Sequence, residues 1–225
     1  GNFEHGRSAL RPPDFLEAMD PEDRAFLEGV MPQLLAARAT RVRPGLDDKV
    51  ITAWNGLAIS AFARGAAALN EPRYAAAAAE AARFLLEKVT VDGRLHRSWK
   101  ADRVGAPAFL DDHAALMLGL VDLYEATFEL EWLEHALALA DKTVALFWDH
   151  EGGGFFYTGA DAEVLVARQK PLPGGAIPSG NELAALAFCR LETLCERADL
   201  GEKAERVLTS LQPLVQRAPS ALGPS

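Results

Sequence analysis

The chain has 225 residues, 49% of them hydrophobic, and carries a formal net charge of −9. That balance opposes a phosphate-backbone partner, which needs clustered lysine and arginine to displace counterions, and no apolar run reaches membrane-spanning length without charge. Neither nucleic acid nor a membrane is an expected partner.

Cys189 and Cys195 lie six residues apart in one predicted helix. They rise about 9 Å along its axis and point to different sides, so they are not expected to pair. The five histidines are scattered and offer no zinc spacing, so neither a metal nor a cofactor is expected, and a reducing, cytoplasmic compartment is the natural setting. The first residues have neither the basic nor the apolar region of a signal peptide.

Residues 1–20, with Pro12-Pro13, show little periodicity and read as an irregular arm. From Pro21, with Asp20 as N-cap, PEDRAFLEGVMPQLLAARA reads as a helix, which Pro32 should kink or divide. The next helix is expected from about Asp48 to Leu69. After Lys49 its only polar side chains are Thr52, Asn55, Ser60 and Arg64, so it should be buried on most sides. Residues 73–89 form a helix with a polar face instead. The alternation continues: 112–128 and 180–197 begin apolar, while 131–147 and 201–216 carry charged faces. Residues 21–217 therefore read as one all-α helical domain, a curved array of hairpins with inner and outer layers. A flexible tail is expected at 218–225.

Turns from inner to outer helices are short. The returns are long, Thr90–Leu110 and Trp148–Pro178, and each opens with a glycine turn before a β-like aromatic segment (GRLHRSW; GGGFFYT). The Gly152–Gly154 run reads as the turn of a β-hairpin. The long loops should gather where the inner helices start, with the free N–H groups of those helices, a usual place for binding.

Three polar clusters mark those starts: Asp47 with Asp48, Asp111 with Asp112, and Ser179 with Asn181 and Glu182. Each can serve as a helix cap, contributing about 0.5–2 kcal/mol. A cap needs only one Asp, however, so the paired acids suggest a second use. Asp111 or Asp112 could act as general acid or base on a sugar, with Asp48 or Glu182 across the mouth at the roughly 5–9.5 Å separation of glycosidases. An epimerase would need an imidazole, for which His96 and His113 are the candidates. Trp54, Trp99, Phe156 and Tyr157 offer flat surfaces to a sugar, although Trp54 is expected first to pack against the next inner helix. Arg97, Arg168 and Lys170 could hold an anionic group or neutralise the acidic rim. Asn55, polar within an apolar helix, must have a partner and is expected to line the interior.

The segments DDKVITAWNGLAISAFARG, FLDDHAALMLGLVDLYEATF, FWDHEGGGFFYT and PSGNELAALAFCRLETL resemble, in order and spacing, the helical region of the thioredoxin-domain-containing family that includes the animal spermatogenesis-associated proteins. The resemblance implies an (α/α)6 toroid similar to N-acylglucosamine 2-epimerases and six-hairpin glycosidases. It thus implies a carbohydrate-related scaffold, epimerase-like or glycosidase-like. The alternative is a non-catalytic scaffold whose groove holds a partner, such as the thioredoxin-like domain of a longer chain. The family commonly carries an aromatic residue where this chain has His113. The chain contains no Cys-x-x-Cys, and its seven expected helices fall short of a ring of twelve. It is therefore expected to be a fragment or truncated homologue, an open arc whose edges favour self-association or a further segment.

Overall fold

The computed structural model describes His5 and residues 19–163, 166–172, 174, 175 and 177–217. Most of the expected arm and all of the expected tail from residue 218 lie outside the described residues. The chain divides into two compact units, Gly1–Asp47 and Asp48–Ser225.

Helix α1 (Pro21–Ala39) belongs to the first unit, where the sequence pattern grouped it with the helical domain. Asp20 caps it, its carboxylate accepting the Glu22 N–H at 2.9 Å. The helix runs through Pro32 without a break. None of its residues is buried, so water can solvate the carbonyl that the proline leaves without a donor.

The second unit contains three helical hairpins. Inner helices α2 (Thr52–Leu69), α4 (Leu110–Thr127) and α6 (Gly180–Cys195) are each followed by an outer helix: α3 (Pro72–Lys88), α5 (Leu130–Phe147) and α7 (Ala198–Arg217). Each inner helix ends in a left-handed residue, Asn70, Phe128 or Glu196, with φ of 52°, 58° and 56°. That conformation stops the helix and turns the chain back within a few residues. The same device appears three times, which explains the short turns.

Helix α4 is central. It packs against α2 and α6, with α5 as its hairpin partner, and is buried from Asp112 to Leu123. Its seam with α2 is made by glycine: a Cβ on Gly56 would stand 2.5 Å from the Ala115 carbonyl carbon and the Leu116 nitrogen, and one on Gly119 would stand 2.6 Å from the Gly56 oxygen. Further along, the buried Asp122 accepts the Ser60 hydroxyl from α2 and Arg190 Nη1 from α6 at 2.7 Å. Arg190 Nη2 also reaches Glu125 at 2.8 Å. One carboxylate thus ties three inner helices, with the donors that a buried charge requires.

The long returns carry small strands. β2 (Thr90–Val91) pairs with β3 (Arg94–Leu95), while β1 (Val50–Ile51), β4 (Ser98–Lys100) and β5 (Arg103–Val104) form a sheet in the order β1-β4-β5. Pairing with β4 holds Val50 and Ile51 extended, so α2 starts at Thr52 and not near Asp48. The glycine run does turn the chain. Gly153 and Gly154 adopt φ of 69° and 71°, and Trp148 bridges to Phe155. Cys189 and Cys195 are free thiols. Among the described residues no helix is long and apolar enough to cross a membrane.

Candidate functional site at the inner-helix starts

Asp111 and Asp112 are neighbours in the first turn of α4, yet they face different surroundings. Asp112 has 0% of its surface exposed. Its Oδ1 accepts the Ala53 N–H of α2 and its Oδ2 accepts the Phe109 N–H, each at 3.0 Å, while Arg97 Nη1 stands 3.3 Å from Oδ2. One side chain therefore satisfies free donors at the starts of two inner helices. Burial, and then the Asp111 charge, push its carboxyl up to about 7, against the opposing pull of the Phe109 N–H, Arg97 and the Ala53 N–H.

Asp111 stays 21% exposed, with Arg97 Nη1 at 3.5 and 3.4 Å from its two oxygens. The same nitrogen is 3.4 Å from the Tyr157 hydroxyl. The guanidinium lies 5.0 Å over the Phe109 ring, which stacks on Tyr157 at 4.8 Å and 24°. Burial, followed by Asp111, raises the Tyr157 phenol. The Tyr157 backbone is held as well: its N–H donates to Gln169, and its carbonyl accepts the Leu110 N–H at 3.1 Å. Thus Arg97, from the first long return, and Tyr157, from the second, meet above the start of α4.

The other expected residues fall into three groups. Asn181 and Glu182 serve the fold. Asn181 is buried, its Oδ1 accepting the Phe155 N–H at 2.8 Å and its Nδ2 donating to the Phe155 and Pro171 carbonyls at 3.0 Å. Glu182 closes a capping box with Ser179, accepting its N–H at 2.6 Å. Arg168 donates to the Leu146 and Thr158 carbonyls and lies 4.2 Å over Phe156, and Lys170 pairs with Asp149 at 2.5 Å. These two cations pin the second return instead of meeting an acidic rim.

Asp48 and Asn55 satisfy local partners. Asp48 lies before β1, bound by Lys100 at 2.5 Å, and that bond lowers its carboxyl below the usual range. Asn55 donates to the Ile51 carbonyl at 2.9 Å, a bond across its own first turn and not an interior one. Trp99 is half-buried, edge-on to Phe84 at 5.2 Å. Trp54, expected to pack, is instead 63% exposed, because it projects from α2 on the side away from α4.

His113 sits apart from the mouth group. It is buried, with Nδ1 3.2 Å from Thr143 Oγ1 and Nε2 3.2 Å from Arg94 Nη1. Thr143 spends its hydroxyl proton on the Leu139 carbonyl, so Nδ1 carries the imidazole proton and Nε2 accepts from arginine. Burial, then Arg94 and Lys142, lower its pKa to about 3. Both nitrogens are engaged, and neither faces the mouth group of Arg97, Asp111 and Tyr157.

Arg97 entered the sequence reading only as a possible anion contact, and Phe109 was not singled out at all. The one local signal for Phe109 was its place as the residue before the acidic pair.

Three inner helices with clustered starts, each backed by an outer helix, make the second unit an α/α-toroid segment. Solved structures share this fold. A GH76 α-mannanase of Bacteroides thetaiotaomicron aligns with TM-score 0.60 at 16% identity, over 88% of this chain and 58% of its own. Cellobiose 2-epimerase of Spirochaeta thermophila aligns with TM-score 0.59 at 18% identity, over 89% and 56%. At these identities the likeness speaks for fold alone.

By sequence the chain is a homologue of one segment of spermatogenesis-associated protein 20. It is 38% identical to the Mus musculus protein over 210 residues, 88% of this chain, and 36% identical to the Rattus norvegicus protein over 236 residues, 97% of this chain. It spans only 27% and 30% of the length of those relatives. No protein-family model matches the chain.

Proposed function

We propose that the mouth of the second unit recognises a carbohydrate, with Asp111, Arg97 and Tyr157 as polar contacts beside the Phe109–Tyr157 stack. The observation that carries this reading is the division between the adjacent acids: Asp112 is consumed by two backbone donors, while Asp111 remains partly exposed beside a guanidinium and a phenol. A carboxylate, an arginine and an aromatic face are the groups that grip a polyol, and they gather at the face where loops meet a rigid scaffold. The named fold neighbours, a mannanase and a cellobiose epimerase, support the ligand class.

The geometry favours recognition over turnover. Hydrolysis needs a second working carboxylate, but Lys100 holds Asp48 and the Ser179 N–H holds Glu182. Proton abstraction needs an available base, and His113 has both nitrogens engaged. The chain therefore acts as a non-catalytic binding module. Its free thiols fit a reducing, cytoplasmic setting.

A thermal-shift panel of monosaccharides, disaccharides, amino sugars and uronic acids tests this. A ligand at a hundred times its Kd should add about 2.7 kcal/mol of stability. Asp111→Asn and Arg97→Ala should each remove that gain. If no sugar stabilises the chain, or if Asp111→Asn responds like wild type, the proposal fails. Turnover of a stabilising sugar would instead show an enzyme.

A further inference from the structure

We propose that the end of α1 carries an anion site in which Arg38, Arg41 and Arg43 hold the phosphoryl group of a small molecule. The chain is acidic overall, yet residues 29–46 contain three arginines and no Asp or Glu. Those three arginines, with Val42 and Pro44, line one cavity of about 350 Å³, within the range of small-molecule pockets. All five residues belong to the first unit, so the site is independent of the mouth described above and stands or falls separately from sugar binding there.

The local backbone brings the cations together. Arg38 lies in the last turn of α1. There the Thr40 hydroxyl donates to the Ala37 carbonyl at 2.8 Å, and the Arg41 N–H donates back to the Arg38 carbonyl at 3.2 Å, which folds the chain over the helix end. Pro44 fixes its own φ and restricts Arg43, the residue before it, to extended backbone. The third arginine therefore loses much of its backbone freedom before any ligand arrives.

Partners separate this cluster from the other arginines of the molecule. Arg94 pairs with Asp161 at 2.8 Å, Arg190 with Asp122 at 2.7 Å and Arg197 with Asp141 at 2.8 Å. Among the described residues, the side chains of Arg38, Arg41 and Arg43 have no hydrogen bond or ion pair. One cation near a helix C-terminus complements the helix dipole, but three around one cavity exceed that need and repel one another. A bound anion removes the repulsion. The planar guanidinium fork matches phosphate geometry with two parallel N–H donors, and a phosphoryl group offers enough terminal oxygens to engage more than one fork. The cavity favours a compact ligand over a polymer, and Val42 and Pro44 give the carbon skeleton of a phosphate ester an apolar wall.

The test is titration calorimetry of the chain as it stands with inorganic phosphate, glucose 6-phosphate and glucose. Both phosphorylated probes should bind saturably through this site, and glucose should not compete with them. Tighter binding of the ester would assign a phosphorylated metabolite as ligand, and equal binding would assign the free ion; either supports the site. Arg38→Ala, Arg41→Ala and Arg43→Ala should each raise the phosphate Kd on the order of tenfold with the thermal midpoint unchanged, since all three residues are exposed. Arg64→Ala, an exposed arginine of α2, should leave that Kd unchanged. Lysine at all three positions keeps the charge and loses the forks, so it should also weaken binding. The proposal is overturned if neither phosphorylated probe binds, if the alanine variants bind as wild type, or if the triple lysine variant does, which would reduce the effect to diffuse attraction. A short oligonucleotide that binds more tightly than either small probe would assign the arginines to a polymer and overturn it as well.

Discussion

Gly56→Ala is expected to destabilise the second unit by about 4 kcal/mol or more, although alanine is the better helix former by about 1 kcal/mol. The new methyl would stand 2.5 Å from two backbone atoms of α4, at Ala115 and Leu116. Backbone cannot rotate aside as a side chain can, so the helices must part and the contacts on either side of the seam are lost. Gly65, in the same helix, is the control: a Cβ there meets only the Tyr74 ring, at 3.9 Å. Gly65→Ala should therefore stabilise by about 0.5–1 kcal/mol through propensity alone. Urea unfolding of the two variants reads opposite signs from one chemical change. Equal effects would remove the close-packed seam from the explanation of this fold.

Asp112→Asn should cost about 2–4 kcal/mol, because an amide has one oxygen for the two backbone N–H groups that the carboxylate now satisfies. Its pH dependence carries a sign that can be worked out. The folded pKa is raised to about 7 from 3.8, so between about pH 4 and 7 the folded chain holds a proton that the unfolded chain has released. This group's contribution to stability is present on the acid side and is lost as pH rises through that window. His113 runs the other way. Its folded pKa is lowered to about 3 from 6.5, so its contribution is present above about pH 6.5 and is lost as pH falls toward 3. The two slopes oppose each other between about pH 4 and 6.5. Wild type should show a shallow profile of unfolding free energy there, Asp112→Asn should lose stability steadily on acidification, and His113→Gln should gain it. Parallel profiles for the two variants would contradict these assignments.

Much of the architecture is legible in the chain because it follows local periodicity. The all-apolar inner helices, the charged faces of the outer ones, and the glycine turn before Phe155 all rest on residues a few positions apart. Long-range partners account for the differences. Asp47-Asp48-Lys49 looks like a helix start, but Val50 and Ile51 pair with Trp99 and Ser98, which keeps the chain extended until Thr52. Asp112 reads as a cap for its own helix, and nothing in its neighbourhood announces that it also serves Ala53, 59 residues away. Asn181 looks like a ligand-facing amide until Phe155 and Pro171 occupy it. Trp54 looks like core because its helix is apolar all round, yet it is 63% exposed, on the side of α2 turned away from the Gly56 seam. Arg97 becomes the centre of the mouth only when two loops from different hairpins meet.

The most direct measurement is a side-by-side determination of thermal midpoint and sugar affinity for Asp111→Asn and Asp112→Asn. The predicted result is a separation. Asp111→Asn should lose binding with its midpoint within a few degrees of wild type, and Asp112→Asn should lose several degrees even without ligand. Binding that survives in Asp111→Asn, or a large fall in its midpoint beside a stable Asp112→Asn, would show that the two acids do not divide the work of ligand contact and helix capping in this way.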